Sequence, residues 1–338
     1  MMNFDYTRAS TVADAIAASV ADPAAKLIAG GTNLVDLLKY DVEVPSRLID
    51  ISRLPLKMIE DTPDGGLRIG ALVPNSDAAY DERVSARYPL LSSAILAGAS
   101  PQLRNAASTG GNLLQRTRCY YFYDTATACN KREPGSGCPA ITGQNRIHAI
   151  LGTSDHCIAT HPSDMCVALA ALNATVVVEG SSGERRIAFR DFHRLPGDRP
   201  DRDTTLQAGE MITAVELPPE DFSSHHTYLK LRDRLSYAFA LVSVAAALRL
   251  DGDRIVGARM ALGGVAHKPW RDETAEAMLA GKSATTDVFG PVADHILRDA
   301  RGYEHNGFKI ELARRGIVRA LHQAAAGMPQ SQVDKRIN

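Results

Sequence analysis

The sequence predicts an α+β protein of three parts, and three observations carry that reading. A chain of 338 residues is too long for one ordinary core, so two or three domains are expected. Its first stretch alternates short strand-like runs, glycine turns and helical spacing, the pattern of a compact β-α-β unit. Its last third carries longer apolar or alternating runs between turns, followed by helices, the pattern of antiparallel strands.

Composition excludes several function classes. Hydrophobic content is 45% and charged content 23%, both ordinary for a globular protein. A net charge of −1 offers nothing to nucleic acid or an acidic membrane surface. The longest strongly apolar run, Phe239 to Leu248, is far too short to span a bilayer. The N-terminus carries Asp5 and no basic region followed by an apolar core, so no signal peptide is expected.

The first part covers residues 1–55. Thr11-Val12-Ala13-Asp14 resembles a capping box with Asp for Glu, and Ala13, Ile16, Ala17 and Val20 follow at helical spacing. Lys26 to Ala29 reads as a strand, Leu34 to Lys39 as a short helix, and Arg47 to Ile51 as the next strand after a Val44-Pro45-Ser46 breaker. The second part, 56–222, opens after the turn Pro63-Asp64-Gly65-Gly66. Leu67 to Leu72 is a predicted strand; Pro89 to Leu96 and Pro162 to Leu172 are predicted helices, the latter with Ser163 or Asp164 near its N-cap. Val176 to Val178, Arg186 to Phe189 and Met211 to Leu217 are β-rich, and Leu195 to Thr205 reads as a polar surface loop. The third part, 223–330, holds strands at Tyr228 to Leu231, Ala238 to Leu250 and Arg254 to Leu262. Helices at Glu273 to Ala280 and Phe308 to Ala325 close it, the second burying Ala313, Ile317, Leu321 and Ala324. The last ten residues are polar and expected to fray.

Two glycine stretches stand out. In Lys26-Leu27-Ile28-Ala29-Gly30-Gly31-Thr32-Asn33-Leu34 a strand meets a glycine turn and a helix start. Such a turn brings backbone N–H groups close to an anion such as a phosphate, or is simply a tight connection. It is neither G-x-G-x-x-G nor a Walker A loop. The second stretch is Ser108-Thr109-Gly110-Gly111-Asn112. Taken together, AGGTN and then STGGN resemble the FAD-binding medium subunit of the molybdenum hydroxylases, the xanthine dehydrogenase and carbon monoxide dehydrogenase family. Three further matches follow in order. His161-Pro162-Ser163-Asp164 resembles the family's S-P-x-x-D turn, with His for Ser and the acid one position early. Tyr228-Leu229-Lys230 with Arg234 resembles Y-x-K-x-x-x-R, and Gly263-Gly264-Val265-Ala266 with Pro269 and Arg271 resembles a C-terminal signature. One departure is the lack of an aromatic residue just before Gln102, where some relatives place a ring near the flavin.

The resemblance implies a two-subdomain FAD-binding fold of the vanillyl-alcohol-oxidase type, with a C-terminal α+β domain built on a three-stranded antiparallel sheet. It implies that Lys26 to Leu34 and Ser108 to Asn112 cradle the pyrophosphate and ribityl chain. Asp164 would accept hydrogen bonds from cofactor hydroxyls, or serve as a plain helix N-cap. Lys230 would lie near the isoalloxazine edge, where a cation favours the reduced flavin.

The five cysteines, Cys119, Cys129, Cys138, Cys157 and Cys166, fall within 48 residues of one another. Four of them lie in an insertion, about 113–160, with spacing C-x9-C-x8-C-x18-C. No C-x2-C pair occurs, so neither a ferredoxin run nor a standard zinc finger is present. Disulfides, a structural zinc and a [4Fe–4S] cluster all compete on spacing alone. The resemblance favours the cluster. A branch of the family, including periplasmic aldehyde oxidoreductase and 4-hydroxybenzoyl-CoA reductase, carries one in an insertion here, and the overall likeness is nearest to the former. The expected ligands are Cys119, Cys129, Cys138 and Cys157, with Cys166 left to the core of a helix. Arg116, Arg118, Lys131 and Arg132 are expected to offset cluster charge and donate to sulfur, and Tyr120 to Tyr123 to shield it.

The function implied is that of an FAD-binding electron-transfer subunit of a heterotrimeric aldehyde oxidoreductase. Its implied partners are a molybdenum-cofactor large subunit, a [2Fe–2S] small subunit and an external electron acceptor. No catalytic residue for the organic substrate is expected on this chain. A subunit of a 4-hydroxybenzoyl-CoA-reductase-like enzyme and a stand-alone FAD oxidase are the alternatives. The location is expected to be periplasmic if a signal-bearing partner carries the chain out, and cytoplasmic otherwise.

Overall fold

The structure, a computed structural model, describes residues 1–332 and 334; the expected fraying of the last ten residues lies partly outside them. Elements run in order β1 (Asp5–Arg8), α1 (Val12–Ala21), β2 (Lys26–Ile28), α2 (Leu34–Lys39) and β3 (Arg47–Asp50) in the first part. They form a parallel sheet of order β1-β3-β2. β1 has no apolar face and all four residues are exposed, so periodicity could not reveal it. It is held by pairing with β3 and by Tyr6 and Arg8, which both donate to Asp50. The capping box on α1 is formed: Asp14 N donates to Thr11 Oγ1 and Thr11 N to Asp14 Oδ2. The buried residues of α1 are Ala15 and Ile16, not the stripe through Ala13, Ala17 and Val20. In so alanine-rich a helix, side-chain size does not distinguish one face from the next.

The second part contains β4 (Ile59–Asp61), β5 (Leu67–Gly70), α3 (Asn75–Tyr80), α4 (Glu82–Arg87), α5 (Pro89–Ala97), α6 (Pro101–Ala106), α7 (Thr109–Leu113) and α8 (Tyr120–Tyr123). It continues through α9 (Asp164–Ala171), β6 (Thr175–Gly180), β7 (Gly183–Ala188), α10 (Phe189–Phe192) and β8 (Met211–Leu217). Its sheet is antiparallel with order β4-β5-β8-β6-β7. STGGN is therefore a short helix rather than an open loop. Ser108 caps it, its Oγ accepting from Gly111 N.

The third part is β9 (His225–Leu231), β10 (Val242–Asp251) and β11 (Arg254–Gly263), antiparallel in the order β11-β10-β9, then α11 (Glu273–Leu279), α12 (Thr286–Ile296) and α13 (Phe308–Ala325). Ala313, Ile317, Leu321 and Ala324 of α13 are fully buried. α12 escaped the sequence reading because Gly290 and Pro291 interrupt its pattern, although Phe289, Val292, Ala293 and Ile296 face the core. β10 is buried on both faces. Val242, Val244, Ala246 and Leu248 join the core under α13, while Ala245 and Ala247 join the core of the second part with Met165 and Tyr228. That shared strand welds the two parts, and it fixes Lys230 on β9 against Asp164 at the start of α9.

Candidate functional site

Two cavities meet at the first glycine turn. One, of ≈ 580 Å³, is lined by Gly30, Gly31, Thr32, Asn33, Gly111, Asn112, Asp164 and Lys230. The other, of ≈ 410 Å³, is lined by Lys26 through Leu34 together with Ser108, Gly110 and Gly111. The structure thus brings together the two glycine stretches and the Asp164–Lys230 pair. Thr109 lines neither cavity, because its amide and hydroxyl both donate to Val73 O. The amide of Gly110 is likewise spent, on Ala71 O. The second stretch therefore offers a ligand close approach more than free donors.

The first turn does offer donors. Among the described residues, the backbone N–H groups of Gly31, Thr32 and Asn33 have no protein acceptor. Asn33 Nδ2 is buried without a partner, while its Oδ1 accepts from Arg116 N at 2.9 Å. Unspent donors on a turn are the surroundings a pyrophosphate needs. Two glycines make the turn possible. A Cβ on Gly30 would lie 1.8 Å from Ala106 O, and Gly31 has φ +69. The donor set and the glycine approach fit FAD.

Deeper in the larger cavity, Lys230 Nζ donates to Asp164 Oδ2 at 2.7 Å and to Ala97 O at 3.1 Å. Tyr228 Oη donates to Asp164 Oδ1 at 2.7 Å. Lys230 is therefore a paired, buried cation, and Asp164 is its counter-ion. Ser163, not Asp164, is the N-cap of α9; its Oγ accepts from Cys166 N. The sequence reading missed the aromatics of this cleft. Tyr237 and Phe239, on the β9–β10 connection, line it and are largely exposed. Tyr237 sits at φ +50, with its carbonyl accepting from Arg234. The guanidinium of Arg118 lies 5.0 Å from the Phe239 ring centroid.

The insertion folds around a separate small cavity lined by Cys119, Cys129, Cys138 and Cys157, with His148, Lys131, Tyr121 and Phe122. Cys119 and Cys157 are buried and the other two half-buried. Burial pushes the Cys119 thiol up to about 12 and the Cys157 thiol up to about 11, the latter opposed by Lys131. Those two thiols are therefore neutral when free, and a metal would be what ionises them. Cys166 lies elsewhere, fully buried in the core, within 4.8 Å of ligand atoms of His161 and His193. Both imidazoles contact Leu113 O, at 3.4 and 2.8 Å, and burial holds both well below the ordinary histidine range.

The expected cationic donors to sulfur are not there. Arg116 pairs with Glu43 and Asp203, Arg118 with Asp36, and Arg132 donates to the carbonyls of Tyr121 and Phe122. Lys131 is buried against Asp203, Pro200 O and His267. Long side chains reach the nearest carboxylate or carbonyl before a weakly accepting sulfur. Groups that do reach sulfur include Ala159 N, 3.4 Å from Cys157 Sγ, and His148 Nε2, 3.0 Å from Cys119 Sγ. Of the aromatic run, Phe122 is buried while Tyr120 is exposed. Leu195 to Thr205 is more than a surface loop, since Asp203 and Pro200 O clamp Lys131. Burial alone would raise the Asp203 carboxyl, but Lys131, Arg116 and His267 hold it well below the usual carboxylate range.

Comparison with known proteins agrees with this geometry. Residues 2–220 match the FAD binding domain in molybdopterin dehydrogenase, and residues 226–324 match the CO dehydrogenase flavoprotein C-terminal domain. The chain is 52% identical to the aldehyde oxidoreductase FAD-binding subunit PaoB of Escherichia coli (strain K12), covering 96% of this chain and 99% of that one. It is 27% identical to the carbon monoxide dehydrogenase medium chain of Hydrogenophaga pseudoflava, covering 96% and 97%. Among solved structures, carbon monoxide dehydrogenase from the same organism superposes with TM-score 0.76 at 26% identity, covering 96% of this chain and 98% of that one. Quinoline 2-oxidoreductase from Pseudomonas putida 86 superposes with TM-score 0.74 at 26% identity, covering 97% and 98%. With a family match over most of its length, a full-length relative at that identity and a cleft whose free donors suit FAD, the chain belongs to the family of FAD-binding medium subunits of the molybdenum hydroxylases.

Proposed function

We propose that this chain is the FAD- and [4Fe–4S]-carrying subunit of a heterotrimeric aldehyde oxidoreductase. It would receive electrons from a molybdenum-cofactor large subunit and a [2Fe–2S] small subunit, and deliver them to an external acceptor. One observation carries the reading: Arg118 lines the flavin cleft and its chain neighbour Cys119 lines the thiol cavity, so two redox-type sites abut. The aldehyde class is supported by the 52% identity to an aldehyde oxidoreductase subunit. Bound FAD supplies the conversion between two-electron and one-electron transfer. The turn Gly31 to Asn33 binds its diphosphate by amide donation, and the buried Lys230 ammonium, paired with Asp164, lines the cleft.

A cluster is favoured over a single zinc by the spread of the donors. The four cavity cysteines provide a thiolate-only set of the kind that holds iron–sulfur clusters and structural zinc alike. A tetrahedral zinc with Zn–S near 2.3 Å needs sulfurs roughly 3.8 Å apart. Among the described residues, the one group whose ligand atoms all lie within 4.8 Å is His161, Cys166 and His193, so the insertion thiols span more than that. If the complex is exported, a signal-bearing partner would place the chain in the periplasm.

Purification of the intact complex from its host, with flavin and metal analysis of each chain, tests the reading. Cysteine-to-serine changes at 119, 129, 138 or 157 should each remove iron from this chain, whereas Cys166→Ser should not. Zinc in place of iron, or full iron in any of the first four variants, would overturn the ligand set.

A further inference from the structure

We infer that His148 is the side-chain donor that raises the reduction potential of the metal centre held by the insertion cysteines; the inference rests on the cluster reading above. His148 Nε2 lies 3.0 Å from Cys119 Sγ, and the residue is 1% exposed. A metal-bound cysteine is a thiolate and can only accept, so Nε2 must carry the hydrogen and Nδ1 the lone pair.

The ring is held from the far side of the fold. Its carbonyl accepts from Lys309 Nζ at 2.7 Å and from Asn306 Nδ2 at 3.3 Å. Lys309 Nζ also donates to Gly264 O at 2.6 Å, tying the same point to the end of the three-stranded sheet. His148 N donates to Asn145 O, and Asn145 Oδ1 accepts from His305 N. The last third of the chain therefore grips the backbone of one residue, and that residue's ring reaches Cys119.

Adding an electron to a cluster increases the negative charge on its sulfurs. An N–H dipole aimed at a ligand sulfur stabilises the reduced form more than the oxidised form and so raises the potential. The transfer adds one electron from the neighbouring redox sites and breaks no bond, and no proton moves. The arginines and Lys131 around the loop are committed to oxygen acceptors, which leaves this role to His148.

The test is an EPR-monitored redox titration of the whole complex carrying His148→Leu or His148→Gln. The expected result is wild-type iron with a lower midpoint potential in His148→Leu, and partial recovery in His148→Gln, whose amide can still donate. Full iron with an unmoved potential in His148→Leu overturns the inference while leaving the cluster reading intact. Should His148→Leu lose its iron, pulsed EPR on the reduced wild type with isotope-labelled histidine decides. A histidine nitrogen or exchangeable-proton coupling supports the donor role, and no coupling overturns it. Absence of iron from this chain in the wild type is a different failure, which overturns the cluster reading and this inference together.

Discussion

The flavin cleft and the cysteine insertion hold their ligands by opposite means. At the cleft the chain folds around backbone: Gly30 packs on Ala106 O, α7 donates back to Ala71 O and Val73 O just past β5, and the donors of one turn are left over. At the insertion the chain folds around side chains: thiols converge on one cavity, and each nearby cation is hydrogen-bonded to oxygen. The first arrangement is complete without its ligand. The second has a small core of its own, chiefly Phe122, Ile158 and Ala140, and under the proposed reading metal–thiolate bonds would supply the rest.

The contrast can be broken most sharply at Gly30. Gly30→Val places a Cβ 1.8 Å from Ala106 O, so the turn must move. We expect loss of bound flavin and a stability cost of about 3 kcal/mol, the upper end of the usual overpacking range. Flavin absorbance per chain and thermal melting read both; a variant with full flavin would show that the turn is not the cradle. Next in size is Lys230→Met, which strands Asp164 with only the Tyr228 hydroxyl. Breaking such a buried pair costs about 3–5 kcal/mol, because one charge is left uncompensated. Denaturant unfolding should recover much of that loss in the double variant Lys230→Met with Asp164→Leu; equal losses in single and double variants would remove the pair from the account.

The smallest effect sharpens the link between the insertion and α13. Burial and Arg146 lower the Lys309 ammonium to about 7 from an ordinary 10.5. Between those values the unfolded chain binds a proton that the folded chain does not, so the stability contributed here rises with pH across that window. Lys309→Met abolishes this slope and leaves buried carbonyls unpaired, at a cost of about 1–3 kcal/mol. The gap in melting temperature between wild type and variant should therefore widen from pH 7 towards pH 10. A constant gap would mean that Lys309 keeps its proton throughout.

What could be read beforehand divides along the same line. The strands and helices that bury an apolar face were legible: α2, β8 and α13 span Leu34–Lys39, Met211–Leu217 and Phe308–Ala325 as expected. The two glycine stretches were legible as a pair because their composition permits close approach, which one sequence states directly. The cysteines were legible by their clustering. Their surroundings were not, since which side chain meets sulfur depends on residues far apart in the chain. His148 lies 29 positions from Cys119, and Lys309 lies 161 positions from His148. Asp203 was hidden for the same reason: a polar run rich in proline and aspartate looks like solvent-facing loop until Lys131 and Arg116 arrive from elsewhere. Tyr237 and Phe239 carried no periodic signal, standing on a connection rather than on an element.

The charges that escaped notice have a bearing on how the molecule tolerates injury. Lys131 meets Asp203, Asp203 meets Arg116, Arg116 meets Glu43, and Glu43 meets Lys26. That relay starts beside Cys157 and ends on the strand that feeds the first glycine turn, and Arg116 N also holds Asn33 Oδ1. Oxidative attack on the cysteines would thus not stay local. If the insertion unravels, Asp203 loses its ammonium partner, Arg116 is free to swing, and the anchor on Asn33 slackens. Damage in the insertion is thus expected to reach the first glycine turn through this chain of ion pairs, and flavin retention after oxidation of the cysteines would read it.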